Sequence, residues 1–149
     1  MIYLDYSSTT PMCMEAMDSY LKVSKEYIAS VSTNNKLGKK SKDLLTETTK
    51  ELSDIFNIMS DEIIYTSGAT EANNMALIGY AMQNHKKGNH IIVSRLEHPS
   101  IYKICKYLES IGFEVSVVDN NEEGLIDFED LKRKINEDTI LVSICAVNS

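Results

Sequence analysis

Four short runs of β-branched and aromatic residues, separated by segments with a helical period, constrain this chain more than any other feature. They are residues 63–65 (IIY), 90–94 (HIIVS), 113–119 (FEVSVVD) and 139–145 (TILVSIC). Runs of this composition suit pleated, buried strands. Antiparallel neighbours can be joined by a tight hairpin, whereas parallel ones need a long crossover, usually a helix. Strand and helix in alternation therefore predict an α/β fold with a mostly parallel sheet and helices on both faces. The last run is almost wholly apolar, so burial on both faces is expected for it.

The first run leads into Thr66, Ser67 and Gly68, which suit a tight turn and a helix cap. Beyond them Ala72, Met75, Ala76, Gly79 and Tyr80 recur at three- and four-residue steps, which predicts a helix. The first N–H groups of a helix have no internal partner, and the helix dipole adds positive potential there. A phosphate on the N–H groups of Ala69 and Thr70, with the Thr70 hydroxyl as a further donor, is one reading of the motif. An ordinary strand-to-helix turn with a good cap is the other, and spacing alone does not separate them.

The other helices follow the same logic. Thr10 is a candidate cap with Pro11 at the first helical position, ahead of Met14, Met17, Tyr20 and Leu21. Residues 29–36 form a polar loop. Leu37, Ser41, Leu44, Leu45, Thr48, Leu52, Ile55 and Phe56 then mark a long amphipathic helix. Its mixed-charge face, from Lys39 to Glu51, is expected to be solvated. Pro99 stands near the start of a further helix with Ile101, Ile104, Cys105, Leu108 and Ile111 along one side and Gly112 at its end. Asp127 opens a short helix, with Asp130 three residues on and Leu131 and Ile135 as its apolar side.

Charge and cysteine usage narrow the function. A formal net charge of -7 argues against a general binder of nucleic acid or anionic membrane, which needs a basic surface. No apolar run approaches the roughly 20 residues of a membrane span. The N-terminus lacks the basic start and apolar core of a signal peptide, so a soluble cytoplasmic protein is expected. Cys13, Cys105 and Cys145 are widely spaced, which suggests no zinc site and no disulfide framework. Cys105 and Cys145 are expected to be buried small hydrophobes. All 149 residues are expected to form part of one domain, with residues 1–30 an arm and helix and no second domain present. The chain stops just after its most apolar strand, so it reads as the front part of something larger.

Loops at the carboxyl ends of parallel strands share one edge of the sheet, so Thr70 and His98 can face one site. His98 can shuttle a proton or stack its flat ring on an aromatic ligand; a surface loop histidine is the plainer reading. Glu97 is expected to be a solvated loop charge, and His85 and His90 receive no role.

At this point the motifs carry a resemblance. YLDYSSTTP, EIIYTSGATEANN, HIIVSRLEHPS, GFEVSVV, GLIDFEDLKRKI and DTILVSICAVNS, in this order, are similar to the amino-terminal part of cysteine desulfurases. These are class-V aminotransferase-like enzymes that use pyridoxal 5′-phosphate (PLP) on the fold-type I scaffold. The resemblance implies part of a fold-type I large domain. It further implies that Ala69 and Thr70 hold the PLP phosphate, and that His98 stacks on the pyridine ring and assists proton transfer. For the full enzyme it implies L-cysteine as substrate, L-alanine as product, and sulfur carried as an enzyme persulfide. The sulfur goes to iron–sulfur or tRNA thiolation pathways through an acceptor or scaffold protein, from a homodimer. The family's lysine that holds the cofactor and its persulfide-forming cysteine lie beyond residue 149, so the chain alone is expected to be inactive.

Two departures from the family pattern stand out. Asn148 matches the first of two family asparagines, while Ser149 replaces the second, which contacts the PLP ring oxygen. Before the long helix, Ala29 to Ser32 replace an Asn-Pro-Ser-type stretch and Asn35 replaces a histidine; Gly38 is kept. A selenocysteine lyase, an aminotransferase of the same class, and a non-catalytic α/β module binding a phosphate compound or a partner remain as alternatives.

Overall fold

The computed structural model describes residues 2–147, and its contacts divide the chain into two compact units, Met1–Tyr65 and Thr66–Ser149. The predicted contact of Ser149 lies outside the described residues.

The first unit holds helices α1 (Met14–Glu26) and α2 (Lys36–Phe56) and a short 3-10 turn (Ser60–Glu62). Helix α1 starts later than predicted: Cys13, not Thr10, is its N-cap. The reason lies upstream, where Asp5 organises its own turn. Its carboxylate accepts from the hydroxyls of Ser7 (3.3 Å) and Ser8 (2.9 Å), and its carbonyl accepts from the Ser8 N–H at 3.1 Å. The polar loop ends at Asn35, whose side chain caps α2 by accepting from the Gly38 N–H at 2.9 Å. A Cβ on Gly38 would lie 2.0 Å from the Thr33 carbonyl oxygen, so the loop folds back where only glycine fits. The charged face of α2 is exposed, as expected of a solvated surface.

Residues 63–65 do not form the predicted strand. Ile64 and Tyr65 are exposed, and among the described residues the segment joins no sheet. It is tied to α2 instead, through a 2.8 Å hydrogen bond between the Tyr65 and Thr49 hydroxyls. Short branched runs propose strands, but a strand also needs a neighbour with free N–H and C=O groups.

The second unit runs α3 (Ala69–Asn84), β1 (His90–Ser94), α4 (Pro99–Ser110), β2 (Glu114–Val118), α5 (Phe128–Lys134) and β3 (Thr139–Ser143). The sheet has three strands in the order β2-β1-β3, all parallel. The α/β class and parallel pairing are therefore as the sequence predicts. His90 pairs with Glu114 on one side and Thr139 on the other, and Ser94 ends opposite Val118. All five residues of β1 are buried, which fits a central strand. Ile91 and Val93 enter the core formed with Leu77 and Ala81 of α3 and Ile101, Ile104, Cys105 and Leu108 of α4.

Two packing expectations need correction. The last apolar run is not buried on both faces: β3 is the edge of the described sheet, and Val142 and Ile144 are exposed. Ile111 does not extend the buried side of α4; it is the exposed C-cap, and Phe113 beyond Gly112 is buried instead. Gly112, at φ 102°, makes that reversal possible.

His90, given no role by sequence reasoning, links the three strands from the start of β1 to the start of β3 and the middle of β2. Its ring nitrogens lie 2.8 Å from the Thr139 hydroxyl and 2.9 Å from the Ser116 hydroxyl. The Asp127 carboxylate caps α5 by accepting from the N–H groups of Glu129 (2.9 Å) and Asp130 (3.0 Å). Asp130 does not reach back to complete a capping box. It is buried, accepting from the Asp119 N–H (3.0 Å), Lys134 (2.6 Å) and Arg133 (3.1 Å). These donors, Lys134 foremost, hold its carboxyl well below the usual carboxylate range.

Candidate active site

The site is built where helices α3 and α4 begin. Helix α3 opens at Ala69 and Thr70, both exposed, with Gly68 as an N-cap that contributes no side-chain hydrogen bond. The first intrahelical bond runs from the Ala72 N–H to the Gly68 carbonyl at 3.1 Å. The N–H groups of Ala69 and Thr70 precede it and stand where helix geometry leaves donors over. Glu71 curls back over the preceding turn, accepting from the Ser67 N–H (2.6 Å) and hydroxyl (2.7 Å). The Ser67 N–H, then its hydroxyl, hold the Glu71 carboxyl below its ordinary value. That carboxylate is engaged with the turn ahead of the helix.

Helix α4 begins at Pro99, whose missing N–H costs nothing at the first position. His98 is therefore the N-cap. Its Nδ1 accepts from the Ser100 N–H at 3.1 Å and lies 2.8 Å from the Ser100 hydroxyl. The Ser100 hydroxyl in turn accepts from the Asn73 side-chain amide of α3 at 3.0 Å. Thr70, Asn74 and Ile78 of α3 and Ser100, Lys103, Ile104 and Tyr107 of α4 line one cleft of about 230 Å³. Thr70 thus shares a cleft with Ser100, the residue that holds the His98 ring.

The neighbouring strand ends contribute groups that sequence reasoning missed or misread. Glu97 is no solvated loop charge: it is buried, and accepts from the hydroxyls of Ser94 (2.9 Å) and Ser143 (3.3 Å). Ser94 also accepts from the Cys145 N–H at 3.0 Å, so this carboxylate joins the carboxyl ends of β1 and β3. Arg95 pairs with Asp119, which raises the guanidinium further, and the Tyr102 hydroxyl donates to the Arg95 carbonyl. A serine and a glutamate three residues apart across a strand end was the signal available for Glu97. The Ser143 partner, far along the chain, left none.

Cys105 is buried, and burial pushes its thiol up to about 11. Cys13 is exposed and Cys145 half-buried rather than fully buried as expected. Among the described residues, no cluster of three or more His, Cys, Asp or Glu could hold a metal, and no helix is long and apolar enough to cross a membrane.

Against known proteins, residues 2–149 match the family model described as aminotransferase class-V. The chain is 44% identical over 151 aligned residues to cysteine desulfurase IscS of Buchnera aphidicola subsp. Schizaphis graminum. That alignment covers 99% of this chain and 37% of the relative. A solved NifS-like protein superposes with a TM-score of 0.94 at 27% identity, over 99% of this chain and 40% of its own. SspA, solved in complex with cysteine, gives a TM-score of 0.90 at 30% identity, over 98% of this chain and 42% of its own. The chain thus spans under half the length of each of these proteins, and the match falls on the amino-terminal part of the curated relatives. With a family match from end to end, and the same fold in a NifS-like protein, this chain belongs to the class-V aminotransferase family.

Proposed function

We propose that this chain forms the amino-terminal, phosphate-holding part of a PLP-dependent cysteine desulfurase. The observation that carries the reading is the start of α3, where unclosed N–H groups and the Thr70 hydroxyl adjoin the cleft that Ser100 shares. The residues fit the cofactor: Gly68 leaves open space, since a Cβ built there meets nothing within 4 Å, and Glu71 is occupied elsewhere. Ala69 and Thr70 would hold the phosphate, and His98 would lie against the pyridine ring. When bound, PLP supplies an electron sink for bonds at the substrate's α-carbon.

In the whole protein the reaction would break the C–S bond of L-cysteine. The sulfur joins a cysteine thiol of the enzyme as a persulfide, and the β-carbon takes a proton to give L-alanine. An iron–sulfur or tRNA thiolation pathway would receive the sulfur through an acceptor or scaffold protein, from a cytoplasmic homodimer. Residues 1–149 as part of one PLP-dependent transferase domain belong to the same proposal. No residue in them matches the family's cofactor lysine or nucleophilic cysteine, so the chain alone is proposed not to turn over cysteine.

Titration of the chain with PLP, with inorganic phosphate as competitor, tests the reading. Binding is expected to be competed by phosphate. Thr70→Ala should weaken it by about 10- to 100-fold, the ~1.5–3 kcal/mol of a hydrogen bond to a charged group. Binding indifferent to both phosphate and Thr70→Ala would overturn it.

A further inference from the structure

We propose that Asn73 and Ser100 are positioning residues that fix the His98 ring as the Nε2–H tautomer and tie it to the helix that begins at Thr70. The inference deepens the function proposed above and rests on it for its catalytic meaning, though not for its geometry.

The argument is an accounting of protons. A backbone N–H can only donate, so the Ser100 N–H at 3.1 Å makes Nδ1 of His98 an acceptor. The Asn73 amide nitrogen can likewise only donate, and it donates to the Ser100 oxygen at 3.0 Å. That leaves the single Ser100 hydroxyl proton to point the other way, to His98 Nδ1 at 2.8 Å. Two donors then converge on Nδ1, and the ring's proton is confined to Nε2. The hydrogen-bonded chain runs from α3, one turn beyond Thr70, through a buried serine to an exposed ring.

His98 is thereby offered outward as a donor with its orientation set from behind. His85 makes the opposite arrangement: its Nδ1 lies 2.8 Å from the Met82 carbonyl, an obligate acceptor, so Nδ1 must carry the proton there. The two rings serve as contrasting references in one molecule.

The test is nitrogen-15 NMR of the three imidazoles in the cofactor-free chain, at about pH 8, above the ordinary histidine range near ~6.5. His98 is expected as Nε2–H alone and His85 as Nδ1–H. Asn73→Asp replaces the donor with an acceptor, which turns the Ser100 hydroxyl away from the ring. An Nδ1–H form of His98, absent in the parent, should then become detectable beside Nε2–H, because only the Ser100 backbone N–H still opposes it. Ser100→Ala should loosen the tautomer partway, because the backbone N–H remains. The buried His90 resonances, unchanged, report that each variant is folded. An identical His98 tautomer distribution in parent and Asn73→Asp, with His90 unchanged, would overturn the proposal. No cofactor is present, so this result stands apart from the PLP titration. Loss of phosphate-competed binding there refutes the cofactor reading and leaves the tautomer result untouched.

Discussion

Gly88 lies close against the Asp138 backbone, and replacing it gives a prediction whose sign and size follow from geometry. A Cβ at this position would lie 2.3 Å from the Asp138 carbonyl oxygen and 2.7 Å from its carbon. Both are backbone atoms, so no side chain can swing aside. The same carbonyl accepts from the His90 N–H at 3.0 Å as β1 comes alongside β3. Gly88→Ala therefore forces a choice between overpacking, at about 1–3 kcal/mol, and withdrawing that carbonyl. Withdrawal strands a buried N–H at about 1–3 kcal/mol. Either way a net loss of roughly 1–3 kcal/mol is expected, a sizeable share of the ~5–15 kcal/mol that holds a domain together. Gly79 provides the contrast. It lies inside α3, where a Cβ meets nothing within 4 Å, so Gly79→Ala should stabilise by about 0.5–1 kcal/mol. Urea unfolding of parent and both variants reads the difference. With a slope near ~2 kcal/mol per molar, the Gly88→Ala midpoint should fall by about 0.5–1.5 M and the Gly79→Ala midpoint should rise slightly. A Gly88→Ala change within about 0.5 kcal/mol of the parent would refute the reasoning, as would equal losses in both variants.

Two further outcomes follow. The Asp130 carboxyl is held below its ordinary value by Lys134, the Asp119 N–H and Arg133. Its contribution is thus complete above the unfolded carboxylate value near ~3.9 and is lost as pH falls towards the folded one. Asp130→Asn should flatten the acid limb of a plot of urea midpoint against pH; an unchanged limb would exclude Asp130 as its source. Glu97→Ala leaves the Ser94 and Ser143 hydroxyls without their shared acceptor and should cost about 1–3 kcal/mol, whereas Glu97→Gln, which keeps an acceptor oxygen, should cost less. Equal losses in thermal unfolding would show that the charge, not the acceptor, matters.

What the sequence made legible was local. Strand β1 lies where its branched run predicts, α4 ends just ahead of Gly112, and Asp127 caps α5, because each signal is complete within a few residues. The candidates Ala69, Thr70 and His98 are found at the starts of two adjacent helices for the same reason. Pro99 at the first helical position marks His98 as the cap, a signal of the same local kind. What depended on distant partners was not legible. Among the described residues, 63–65 have strand composition but no partner strand, the apolar 139–145 run lies at the edge of the sheet, and the buried Glu97 takes a hydrogen bond from a serine on another strand. Composition measures what a segment can satisfy; it does not say whether the partner arrives.

The His90 ring carries one more implication, about the order in which the second unit forms. Its partner on β2 is 26 residues away and its partner on β3 is 49. Loop closure grows so slowly with length that this near doubling costs only about 0.6 kcal/mol, too little to dictate a route by itself. Direction of synthesis adds to it, since β1, α4 and β2 leave the ribosome before β3 exists. While β3 is undocked, the His90 nitrogen that faces Thr139 is left to water, so docking exchanges that hydration for the 2.8 Å contact with the Thr139 hydroxyl. The ring thereby ties β3 to the β1–β2 pair through side chains as well as through the backbone ladder.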